Sequence, residues 1–325
     1  MKTQFDFYVY LSNIKHLLNL EKTLQIIDKP SPELFEMLDD DLKINQYSLS
    51  VVKKYFDRHF GIDYSGNVEG LYFGQETCEN LIPPLKNLQL AVEYCRQHEY
   101  HFVFATPYVG PKGMDRLRTL LSYLHKEAPG SEVSVNDYGV LHLLNTEFNN
   151  LKPVLGRLLV KLKRDPRFSI SGYDITNQGI KNLKKVESNQ LDALQGSSLE
   201  LPVYQNFLRA KGIERICLDT LSQGMSKKTL KKWGFPVDLI WPWSYITSGR
   251  SCSIAAHTQP GKEFHPTDEP CKFQCKKYEF TFSSDKKMMP ALFRGNAAWM
   301  STQSMYEEFF DLGFDRLVYE PYIPV

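Results

Sequence analysis

Two rhythms of apolar and polar positions run along the chain. Short runs rich in aromatic and β-branched residues recur as "FDFYVYLS", "VEGLYFG", "HFVFATP", "EVSVND", "KPVLGRLLV", "IERICLD", "PVDLIWPWSY", "YEFTFS", "PALFRG" and "RLVYEP". Each reads as a strand, with "KPVLGRLLV" running on into a short helix. Between many of them apolar residues fall at helical spacing, as in "LKNLQLAVEYCRQHEY", "GMDRLRTLLSYLHKEA", "YGVLHLLNT", "LPVYQNFLRAKG" and "SKKTLKKWG". Gly212 and Gly234 stand where the last two of these helices should end. Strands alternating with helices favour parallel pairing through crossover connections, and roughly eight such units are what a (β/α) barrel of the TIM type needs to close.

The segment 12–66 does not keep this beat. It carries a helical pattern over Ile14 to Ile27, a helix start at Ser31-Pro32-Glu33, and an amphipathic stretch from Ser48 to Phe60. Pro32 suits a first helical position because its missing N–H has no partner there in any case. This segment reads as a helical insertion or extension, with Asp39, Asp40 and Asp41 as an exposed turn. Leu162 to Gly196 is polar and takes no clear assignment. No repeat or flexible linker divides the chain, so 1–325 reads as a single barrel-like domain, with a cysteine-bearing segment over 249–277.

Composition narrows the functional classes. With 39 basic against 38 acidic residues the chain has no overall field to hold a polyanion, so no DNA partner is expected and an RNA is permitted but not indicated. The lysine runs "KNLKK" and "SKKTLKKW" read as solvated faces. The N-terminus lacks the layout of a signal peptide, and no run approaches the roughly 18 apolar residues of a membrane span. A cytoplasmic setting is expected, where thiols stay reduced.

That setting gives the six cysteines their interest. In "GRSCSIAAHTQPGKEFHPTDEPCKFQC", Cys252, Cys271 and Cys275 follow C-x18-C-x3-C. A single metal needs a fourth ligand, and Cys78 in "YFGQETC" follows a predicted strand at the rim where such barrels gather functional groups. The C-x3-C pair suits one face of a helical turn. Four thiolates fit an iron-sulfur cluster or a structural zinc, and spacing does not separate the two. His257 or His265 could replace one thiolate around zinc. Cys95 and Cys217 lie in apolar runs and read as core, with Cys217 in reserve should Cys78 fail.

Other chemistry is thinly signalled. There is no G-x-S-x-G elbow, no H-E-x-x-H, and no glycine-rich nucleotide pattern. His98, His101 and His125 sit at expected element ends and read as structural. Arg250, two residues before Cys252, could receive a carboxylate through its planar fork, and His257 could move a proton beside the thiols.

"LYFGQETC", "VSVNDYGVLHLL", "ELPVYQNF" and "YITSGRSC...CKFQCKKYEF" together resemble the collagenase-like peptidase family of unassigned catalytic type, and within it the small iron-sulfur members that support oxygen-independent ubiquinone hydroxylation. The resemblance spans roughly Val68 to the C-terminus. It implies a barrel holding a 4Fe-4S cluster on Cys78, Cys252, Cys271 and Cys275, and hydroxylation of an aromatic or RNA substrate. Arg250 and His257 would be the site residues beside it, and a paralogous subunit could complete a heterodimer. The block that marks the longer peptidase members is reduced here to Gly249 and Cys252, which points away from proteolysis. A peptidase-derived protein with a structural metal, and a non-catalytic scaffold subunit, are the alternatives.

Overall fold

The computed structural model describes residues 5–22, 24, 68–163, 168–169, 184–185, 193–221, 224–225, 227–257, 271–282, 291–301, 312–322 and 324. Most of the expected insertion, including Asp39 to Asp41 and Ser48 to Phe60, lies outside the described residues, as do His265 and most of "SMYEEFFDLG".

Eight strands close into a barrel. They are β1 (Asp6–Leu11), β2 (Val68–Gly74), β3 (His101–Thr106), β4 (Glu132–Val135), β5 (Lys152–Leu155), β6 (Ile216–Asp219), β7 (Val237–Trp241) and, near the C-terminus, β12 (Arg316–Tyr319). Every neighbouring pair is parallel, and β12 closes the ring between β7 and β1. Helices α1 (Ile14–Leu18), α2 (Leu85–Gln97), α3 (Pro111–Glu127), α4 (Tyr138–Glu147), α5 (Pro202–Ala210) and α6 (Lys227–Trp233) fall in crossovers between strands. The TIM-type (β/α)8 architecture expected from the alternation is therefore present.

Period-two alternation sorts each strand between two cores. Leu71, Phe73, Phe104, Val133, Val135, Leu155, Leu218 and Leu239 face outward and pack with helix residues such as Leu88, Leu117, Leu121 and Leu144. The intervening residues Tyr8, Tyr10, Tyr72, Val103, Ala105, Val154, Cys217, Ile240 and Val318 fill the barrel axis. Cys95 and Cys217 are buried in these two cores, as expected of apolar cysteines. Gly70 makes room for this filling: a Cβ there would stand 2.0 Å from Cε1 of Tyr8. At the floor of the barrel Arg215 pairs with Asp238 at 2.7 Å, Arg316 reaches Glu132 and Asp238, and the Tyr72 hydroxyl donates to Asp238.

The run "PVDLIWPWSY" is not one strand. It breaks at a cis Trp241–Pro242 bond, and β8 (Trp243–Ser248) leaves the barrel. With β9 (Phe280–Phe282), β10 (Ala291–Arg294) and β11 (Ala297–Ser301) it forms an antiparallel sheet in the order β8-β11-β10-β9. "YEFTFS" and "PALFRG" belong to this second sheet rather than to the barrel. The sheet lies over the C-terminal ends of the barrel strands, where Tyr245 N donates to Asp219 Oδ2 at 2.6 Å.

Candidate metal centre

The barrel mouth is built from the residues that follow the strands. Glu76 comes two residues after β2, Arg157 two after β5, Asp219 ends β6, and Glu320 follows β12. All four are buried, Arg157 completely. Its guanidinium reaches Glu76 Oε2 from Nε at 2.8 Å and Glu320 Oε2 from Nη2 at 3.0 Å, while Nη1 donates to the Trp243 carbonyl at 2.9 Å. Its plane also lies 4.8 Å from the Trp299 ring centroid, so one side chain ties three barrel strands to the sheet above them. Burial raises the pKa of Glu76 and pushes Glu320 up to about 8, against the pull of Arg157. For Arg157, burial disfavours the charge, but Glu76, Glu320 and Asp219 outweigh it and hold the guanidinium protonated.

A second polar hub lies at the edge of this mouth. Asn296 occupies the turn between β10 and β11, where Gly295 supplies a φ of 67°. Its Nδ2 lies 2.6 Å from the Thr77 carbonyl, 2.9 Å from the Gly249 carbonyl and 2.9 Å from the Tyr108 hydroxyl. Tyr108 in turn donates to the Gly249 carbonyl at 2.6 Å. Thr77 precedes Cys78 and Gly249 lies three residues before Cys252, so Asn296 joins two cysteine-bearing segments distant in sequence.

Four free thiols gather there. Cys78 feels the charge of Cys275 and Cys252, Cys252 that of Cys271, and Cys275 that of both Cys252 and Cys271. Burial is the largest influence on the three, pushing Cys78 up to about 12 and Cys275 up to about 11, and raising Cys252. Backbone N–H groups oppose it. Asn80 and Leu81 donate to the Cys78 sulfur, Ile254 and Ala255 to that of Cys252, with Ala255 at 3.4 Å. Phe273 N donates to Cys271 Sγ at 3.4 Å. Arg294 donates from Nε to the Cys275 carbonyl at 3.1 Å, and its charge favours the Cys275 thiolate. Among the described residues no three His, Cys, Asp or Glu side chains stand at metal-holding distances, so the thiols are neighbours without being closed around a common point.

The donor set suits a thiophilic metal. Thiolates aided by N–H donors and a nearby guanidinium are the environment in which an added cation would reverse the cost of burial. The sulfurs come from three places: the loop after β2, the start of the short helix α7 (Ser253–His257), and the loop bearing Cys271 and Cys275. The C-x3-C pair does not lie on an α-helical turn. Cys271 is in a loop and Cys275 in a 3-10 turn (Gln274–Lys276), because Phe273 between them adopts the left-handed conformation with φ 53°.

Arg250 is exposed at the bend after β8. His257 ends α7, with its side chain outside the described residues. Sequence reasoning missed Glu76, Arg157, Asp219, Glu320 and Asn296.

A (β/α)8 barrel whose mouth carries a small antiparallel sheet and four neighbouring free thiols is the class that fold and site define. In structure it is similar to a U32 peptidase, Mk0906, with a TM-score of 0.40 and 9% sequence identity over 98% of this chain and 94% of that one. It is also similar to YKL-39, solved in the presence of chitooligosaccharides, with a TM-score of 0.32 and 11% identity over 97% of this chain and 92% of that one. No protein-family model matches the chain, and no curated protein matches it. No described helix is long and apolar enough to cross a membrane.

Proposed function

We propose that the chain is an iron-sulfur protein that binds a 4Fe-4S cluster through Cys78, Cys252, Cys271 and Cys275 and carries out redox chemistry at the mouth of its barrel. One observation carries the reading: four free thiols from three separate segments lie near one another at the C-terminal end of a (β/α)8 barrel, with backbone N–H groups directed at sulfurs. Structural zinc sites more often draw on short C-x2-4-C pairs, whereas cluster ligands come from dispersed positions. A bound cluster would supply one-electron transfer. The chain's own residues do the rest. Asn296 fixes the Cys78 and Cys252 segments relative to each other, Arg294 offsets thiolate charge, and Arg157 holds the sheet over the mouth.

Oxygen-independent hydroxylation of an aromatic or RNA substrate is the reaction the sequence resemblance implies, and it is the form of redox chemistry we assign. A paralogous partner subunit belongs to the same reading.

The test is anaerobic purification with visible absorption and iron, sulfide and zinc assays on the wild type and on Cys78→Ala, Cys271→Ala and Cys217→Ala. About four iron and four sulfide per chain, lost in the first two variants and kept in the third, is the expected result. About one zinc would assign a structural metal and favour a peptidase-derived or scaffold protein. No metal under strict anaerobiosis overturns the reading.

A further inference from the structure

A cleft opens beside the loops that carry Cys78, Cys271 and Cys275, and its described walls have an unbalanced charge. Its volume is ≈ 430 Å³, within the size range of small-molecule sites. The described lining includes Lys15, Arg116, Lys276 and Arg294 and contains no aspartate or glutamate, in a chain whose basic and acidic residues otherwise balance at 39 and 38. Glu279, 3.9 Å from Arg294, is the carboxylate that offsets part of this charge from behind. Two of the cations are fixed in place. Arg116 donates to the carbonyls of Glu79 and Ile82 at 3.0 and 2.7 Å, and Arg294 to that of Cys275. The Arg116 bonds end on neutral carbonyls, which do not cancel its positive charge. Lys15 and Lys276 are exposed.

The cleft also offers an apolar wall. Phe273 is 40% exposed and projects from the loop between Cys271 and Cys275, with Lys276 Nζ 4.8 Å from its ring centroid. Pro83 and Pro84 line the cleft as well. Asn80 and Leu81, whose N–H groups donate to Cys78, belong to the same wall, as does Phe273, whose N–H donates to Cys271. The cleft and the thiol cluster therefore share a partition made of the residues that support the sulfurs.

We infer that this cleft binds a small organic anion, its acidic group held by Lys15, Lys276 and Arg294 and its apolar body set against Phe273, so that the ligand lies next to the thiol cluster. Its role as reactant rests on the redox reading proposed above; the binding itself does not. Carboxylate and phosphate are the two acidic groups that meet this chemistry. Arg250, the anion receptor expected from sequence, does not line the cleft.

Calorimetric titration of the full chain with benzoate, phenyl phosphate and neutral benzyl alcohol tests the inference. The acids should bind, the alcohol should not, and the ratio of benzoate to phenyl phosphate affinity identifies the preferred acidic group. Lys15→Gln/Lys276→Gln should weaken binding about tenfold or more, a loss that rising salt mimics in the wild type. Phe273→Ala should weaken benzoate without altering its salt dependence. Thermal unfolding of each variant within a few degrees of wild type would show that the fold is intact. Equal binding of the alcohol, no binding of either acid, or unchanged affinity in the double variant overturns the inference. Acid binding by a chain that holds no metal would leave the inference standing and sink the redox reading; a metal-loaded chain that binds neither acid would do the reverse.

Discussion

Replacing Arg157 by methionine removes a fully buried cation and leaves Glu76 and Glu320, with Asp219 close by, without their counter-charge. Breaking a buried ion pair from one side costs about 3–5 kcal/mol, because the remaining charge stays desolvated and unpaired. The hydrogen bond from Nη1 to Trp243 and the contact with Trp299 are lost as well. With an unfolding entropy near 2.1 cal/mol/K per residue, 325 residues lose about 1.5 °C per kcal/mol, so the melting temperature should fall by about 4–7 °C. Urea unfolding of Arg157→Met and of Arg157→Met/Glu320→Gln at about pH 5.5 and about pH 8.5 gives the decisive comparison. The glutamine should return about 1–2 kcal/mol at the higher pH, where one stranded charge disappears, and little at the lower pH, where the carboxyls already hold protons. A loss below about 1 kcal/mol in the single variant, or a double variant less stable than the single, would refute the view that Arg157 neutralises this cluster.

Further outcomes follow from the same geometry. Glu320 has a folded pKa of about 8 against an ordinary 4.5, so the native state keeps this proton longer than the unfolded chain and stability should fall as pH rises between those values, by at most about 1.4 kcal/mol per unit; Glu320→Gln should flatten that slope in urea titrations. Gly74→Ala should cost about 2 kcal/mol or more in chemical unfolding, since φ is 136° and the new Cβ would stand 2.2 Å from the Ala105 carbonyl oxygen of the next strand. Asn296→Leu should lower stability by about 1–3 kcal/mol and also reduce metal content after anaerobic purification, while Tyr108→Phe, which leaves the Asn296 bonds to Thr77 and Gly249 in place, should retain metal.

Most of the barrel was legible because each strand is short, bounded and rich in residues that fit a pleated surface, and because Gly212 and Gly234 do end α5 and α6 with φ of 74° and 68°. The second sheet was not, since a continuous apolar run such as "PVDLIWPWSY" gives no sign of where a buried strand leaves one sheet for another. Spacing grouped Cys252, Cys271 and Cys275, and the position of Cys78 just after a predicted strand brought it in. The charged mouth escaped notice because Glu76, Arg157, Asp219 and Glu320 are single residues scattered along the chain with no period relating them. Their shared signal is place: each ends or closely follows a barrel strand, the side on which such barrels carry function.

The excursion that carries the second sheet has a consequence for biogenesis. Three of the four cysteines lie between β7 and β12, while Cys78 lies just after β2. The ring that holds these parts together closes only when β12 inserts between β7 and β1, followed at once by the docking of Glu320 on Arg157. During synthesis from the N-terminus, Cys78 must wait for most of the chain before its companions can join it. Under the cluster reading proposed above, a maturation factor would have a folded or nearly folded barrel as its client, rather than a nascent chain.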